Sequence, residues 1–105
     1  MASGRLGKAD LSATTNTLVY TVPDTTVTTA DIRITNRNGT VTLVRVAITS
    51  GGAPAASDWI EYDSRIEANG VLVNDKQVLS AGEKIYVYAS QANVSVRIHG
   101  FEEAA

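Results

Sequence analysis

Alternation, not helical periodicity, organises this chain. In TTADIRITNR (28 to 37) Ala30, Ile32 and Ile34 alternate with Asp31, Arg33 and Thr35, and in VSVRIHGFEE (94 to 103) Val94, Val96 and Ile98 alternate with Ser95, Arg97 and His99. A period of two puts successive side chains on opposite faces of a pleated strand, so each segment is predicted as a strand with one apolar and one polar face. TNTLVYTV (15 to 22) reads as a strand ended by the turn signal Pro23-Asp24. TVTLVRVAIT (40 to 49) is predicted to turn Val44, Val46 and Ile48 to the core and Leu43, Arg45 and Ala47 outward. It follows Asn38-Gly39, a pair that tolerates positive φ, so the flanking segments are expected to pair as a hairpin.

Residues 50 to 58, SGGAPAASD, form a loop of small residues. WIEYDSRIEA (59 to 68) reads as one bent strand or two short ones, followed by a turn at Asn69-Gly70. VLVND (71 to 75) and KQVLS (76 to 80) are predicted as separate short strands. After Ala81-Gly82, EKIYVYAS (83 to 90) sets Ile85, Val87 and Ala89 against Tyr86 and Tyr88, and Gln91-Ala92-Asn93 turns into the last strand. About eight short strands with regular turns predict an all-β, single-domain antiparallel β-sandwich or jelly roll. The pattern leaves the strand order open.

The length of 105 residues suits one domain. The net charge is -2 and acids and bases are mixed along the chain. No basic run is available to neutralise phosphates, so nucleic acid is not expected as a partner. No apolar run reaches the roughly 18 residues of a membrane-spanning helix, so no membrane partner is expected. There are no cysteines, which excludes disulfides, thiol catalysis and thiolate metal sites. The N-terminal MASGRLGKADL has no apolar stretch of signal-peptide type, and the protein is expected to be made and used without export. Residues 1 to 10 hold Leu6 as their one large apolar residue after Met1. They are expected to form an N-terminal arm reaching a neighbouring subunit, with residues 11 to 105 as the single β-sandwich domain.

Three groups carry potential chemistry. His99 is the only histidine. A general base needs an orienting partner and a reacting group in reach, and no nucleophile motif accompanies it, so an enzyme is not expected. Asp58, Glu61 and Asp63 are three carboxylates in six residues. Calcium takes six to eight oxygens, and alternation leaves Asp58 in the loop, so a solvated acidic edge is expected, with no metal and no cofactor. Trp59, Tyr62, Tyr86 and Tyr88 could stack on sugar rings or pack on protein. The outward set Arg33, Arg45, Tyr86, Tyr88, Arg97 and His99 is rich in interface residue types and is predicted as a protein contact surface, with Leu6 of the arm beside it. The alternative is that these residues lie on different sheets.

The order of segments LSATTNTLVYTVP, ITNRNGTVTLVRVAI, DWIEYDSRIEANGVL, LSAGEKIYVYAS and VSVRIHGFEE resembles a family of small structural proteins of tailed bacteriophages. The similarity runs from about Leu11 to Glu103, and its most specific elements are Trp59-Ile60-Glu61-Tyr62-Asp63, Ala68-Asn69-Gly70-Val71-Leu72 and Ala81-Gly82-Glu83-Lys84. It departs at Val73-Asn74-Asp75-Lys76, where family members often have Glu-Arg-Thr-Gly. The resemblance implies a virion component made in the host bacterial cytoplasm, homo-oligomeric and bound to other capsid or tail proteins. Head decoration or cement is the favoured role. A tail, fibre or baseplate accessory is the alternative, and a glycan-binding host-adhesion module a further one.

Overall fold

The computed structural model describes residues 2–105 as eight strands and one 3-10 turn. The strands are β1 (Ser3–Leu11), β2 (Thr17–Thr21), β3 (Thr26–Asn36), β4 (Thr42–Thr49), β5 (Trp59–Ile66), β6 (Val71–Leu79), β7 (Lys84–Ala89) and β8 (Val94–Ala104). They form two four-stranded sheets, ordered β1-β8-β3-β6 and β2-β7-β4-β5, in which every pairing is antiparallel. The chain changes sheet at each connection except β4 to β5. Eight strands wound across two facing sheets in this way make a jelly roll.

Alternation supplies the core. Ile32, Ile34, Val96 and Ile98 of one sheet meet Val44, Val46, Ile85 and Val87 of the other, and none is more than 2% exposed. Burying each such side chain contributes roughly 1.5–3 kcal/mol. Ile48 packs half-buried against this core, as the pattern requires. Ala47 lies on the outward side yet is buried, because its register partners on either side are the bulky Trp59 and Tyr86.

Two expectations about connections need correction. The Asn38-Gly39 link does not make a hairpin, since β3 and β4 belong to opposite sheets. The cause is Asn36, a fully buried side chain. Its Nδ2 donates to the carbonyls of Thr40 (2.9 Å), Ile66 and Glu67 (both 3.1 Å), and its Oδ1 accepts from Asn38 N (3.0 Å) and Thr42 Oγ1 (3.1 Å). These bonds turn the link into a corner between sheets. Asn69-Gly70 is a second such corner, where Asn69 at φ 58° donates its N–H to Asn38 O over 3.0 Å.

Residues 71–79 are one strand, not two. β6 accommodates an extra residue opposite β3 between Asn74 and Gln77, with Lys76 at φ 57° and its N–H donated to Asp31 Oδ1 at 2.8 Å. A bulge of this kind looks like a strand break in an alternation pattern.

The segment expected as an arm is the edge strand β1 of the chain's own sheet, paired along β8 from Ser3 to Leu11; Met1 lies outside the described residues. A bulge between Arg5 and Gly7 shifts the phase, so that Leu6, Ala9 and Leu11 all pack on the core. Leu6 is therefore a partly buried packing residue and not part of a projecting arm. Gly7 permits the crossing beneath β2, for a Cβ there would stand 2.5 Å from the Val19 carbonyl oxygen.

Candidate functional site

The outer face of the β2-β7-β4-β5 sheet is aromatic. Register aligns Leu18, Tyr86, Ala47 and Trp59 in one cross-strand row, and Tyr88 with Arg45 in the next. Opposite Arg45, β5 bulges at Asp63, which sits at φ 51°. The bulge presents Tyr62 and Asp63 together to Arg45. The guanidinium carbon lies 4.2 Å from the centre of the Tyr62 ring and 4.5 Å from that of Tyr88, and Nε donates to Asp63 Oδ1 over 2.7 Å. The Asp63 hydrogen bond raises the Arg45 pKa beyond its ordinary value. Trp59 meets Tyr62 edge to face, with ring centres 5.5 Å apart. Leu18 and Tyr62 on this face are 45% and 57% exposed.

The carboxylates read as an acidic edge are separately engaged. Asp58 Oδ2 accepts from Ala55 N at 2.8 Å, Glu61 accepts from Ser64 Oγ at 2.6 Å and from Asn74 Nδ2 at 2.9 Å, and Asp63 pairs with Arg45. They do not converge on a common point.

The predicted single contact surface is divided. Arg45, Tyr86 and Tyr88 share the aromatic face, whereas Arg33, Arg97 and His99 lie on the outer face of the β1-β8-β3-β6 sheet, on the far side of the sandwich. Alternation assigns a residue to the outside of its strand, and only strand pairing decides which outside that is. On the far face three cross-strand rows follow one another: Arg5, His99 and Asp31; then Lys8, Arg97 and Arg33; then Asp10, Ser95 and Thr35. His99 Nε2 lies 3.5 Å from Asp31 Oδ2, and its buried Nδ1 has no hydrogen-bond partner. Among the described residues no hydroxyl hydrogen-bonds to this imidazole.

Trp59 and Tyr62 escaped the contact set because they are three residues apart, which strict alternation assigns to opposite faces. A second bulge, which places Ile60 as an extra residue between the pairings of Trp59 with Ala47 and Glu61 with Val46, brings them together. Lys8 escaped because its segment read as an arm. No protein-family model matches this chain, and no curated protein or solved structure shows significant similarity to it.

Proposed function

We propose that this chain is a structural virion component of a tailed bacteriophage, a head decoration or cement protein that docks through the outer face of its β2-β7-β4-β5 sheet. The observation that carries the contact reading is the stack of Arg45 between Tyr62 and Tyr88, continued by Trp59 and Tyr86 on one open face. Tyr, Trp and Arg are the residue types that dominate binding energy at protein interfaces. The two rings and Asp63 hold the guanidinium in place before any partner arrives, which reduces the entropy lost on docking. Decoration implies many copies, so modest contacts at each site sum over the particle.

The assignment to a virion rests on the sequence resemblance over residues 11 to 103. The jelly roll supports it as an architecture of viral capsid proteins, although a fold alone does not specify a function. A tail, fibre or baseplate position is the alternative location under the same reading. Lectins use the jelly roll too. Four aromatic side chains on one face therefore favour a second reading, a glycan-binding adhesion module.

The test is rebinding to particles depleted of the protein, after light scattering establishes the oligomeric state. The wild-type chain is expected to return to heads. Tyr88→Ala and Arg45→Ala should each weaken that binding about tenfold or more while the melting temperature moves by only a few degrees. Full incorporation of both variants would refute this face. Binding to tails alone would relocate the protein, and glycan-array binding without particle binding would favour the adhesin.

A further inference from the structure

We infer that the outer face of the β1-β8-β3-β6 sheet carries a site for a compact tetrahedral oxyanion, a phosphate or sulfate group, on the row Lys8, Arg97 and Arg33. Register sets Lys8 opposite Arg97 and Arg97 opposite Arg33, so three cations stand side by side on three neighbouring strands. Strands lie about 4.8 Å apart, so the row spans about 10 Å and its long side chains can converge on one group. Like charges placed directly opposite each other weaken strand pairing. None of the three forms an ion pair among the described residues, as is also true of Arg5, Lys76 and Lys84, but only these three stand side by side in one cross-strand row. The row thus lacks a counter-charge from its own chain.

The surroundings define the ligand. The row lies in a shallow groove of about 560 Å³ that also includes Asp10, whose charge is met by Arg37, and Thr35 and Ser95, whose hydroxyls add neutral donors beside the cations. Two guanidinium forks and one ammonium suit the several oxygens of a tetrahedral dianion. A lone carboxylate offers two oxygens and one charge to the same set. The flanking rows are close to neutral, each with a carboxylate: Asp10 is held by Arg37 at 2.5 Å, and Asp31 shares its row with Arg5 and His99. Positive potential is confined to one row, which fits a single compact group and not a chain of repeated charges. The site lies across the sandwich from the aromatic face and does not depend on the reading of that face.

The experiment is a backbone-amide NMR titration of the full chain with inorganic phosphate and sulfate, at ionic strength held constant with sodium chloride. Saturable shifts centred on Lys8, Arg33, Ser95 and Arg97 are expected. Arg97→Gln should raise Kd about tenfold, the loss of one charge-assisted contact, while Arg65→Gln on the other sheet leaves it unchanged. Shifts that grow linearly without saturation, or an unchanged Kd in both Arg97→Gln and Arg33→Gln, would overturn the site. O-phosphoserine and glucose 6-sulfate separate the sources: affinity equal to the inorganic ion supports a free anion, and tighter binding supports the same group carried on a larger molecule. Polyglutamate binding more tightly per charge than phosphate would overturn the compact-group assignment.

Discussion

Tyr20 donates its phenolic hydrogen to Glu102 Oε2 across 2.5 Å, tying β2 of one sheet to β8 of the other. The Tyr20 phenolic oxygen also lies 2.8 Å from Thr28 Oγ1, and Glu102 accepts from Ala2 N at 3.1 Å. Burial first, and then the bond to Glu102, push the Tyr20 pKa up to about 12. The hydrogen bond from Tyr20, followed by that from Ala2, holds Glu102 below the ordinary carboxylate range. The two shifts set opposite limits. Tyr20 is raised in the folded state, so its contribution is complete below the unfolded value of about 10 and disappears as pH climbs towards its folded value. Glu102 is lowered, so its contribution is complete above the unfolded value of about 4.3 and disappears as pH falls through its folded value. Urea unfolding across pH should show both limbs in the wild type. Tyr20→Phe should cost about 1–2 kcal/mol near neutrality and flatten the alkaline limb. An unaltered alkaline limb in that variant would place the titration elsewhere.

Asn36 is the buried polar hub of the opposite end. Replacing it with Ala strands the buried Ile66 carbonyl and Thr42 hydroxyl and also removes the amide from the part-buried carbonyls of Thr40 and Glu67. Each buried group left unpaired costs roughly 1–3 kcal/mol, so Asn36→Ala should lose about 3 kcal/mol or more in denaturant melts. A loss below about 1 kcal/mol would mean that these groups find other partners.

Gly100 lies in β8 at φ 151°, where a Cβ would stand 2.0 Å from the Thr29 carbonyl oxygen. That oxygen belongs to the adjoining strand β3, so relief requires the two central strands of the sheet to part. Gly100→Ala should destabilise by about 3 kcal/mol or more, or prevent folding outright. Gly39→Ala is the control, because nothing lies within 4 Å of its Cβ position. Circular dichroism melts of the two variants make the comparison, and equal melting temperatures would contradict the close approach.

Removing residues 2–9 deletes most of β1 together with Leu6 and exposes the edge of β8. The melting temperature should drop by about 5 °C or more, as expected from losing part of a core face in a domain of this size. The newly bared strand should also raise aggregation, which light scattering will record. A melting temperature equal to the wild type would return this segment to the role of a projecting arm.

The sequence by itself determined the class of fold and which side of most strands is buried. In β3, β7 and β8 alternation is uninterrupted, and Ala30, Ile32, Ile34, Ile85, Val87, Val96 and Ile98 could face only inward. What it left undecided follows from two physical limits. A bulge inserts one residue and reverses the apparent phase, which hid the packing of Leu6, the continuity of β6 and the meeting of Trp59 with Tyr62. Turn residues such as Asn38-Gly39 encode local backbone freedom, not the destination of the next strand. That destination was decided by contacts distant in sequence, above all Asn36 reaching Ile66 and Glu67. Tertiary structure alone therefore placed Arg45 with the tyrosines on one face and Arg97 with Lys8 and Arg33 on the other, because a strand's outer side acquires neighbours only when its partners are chosen.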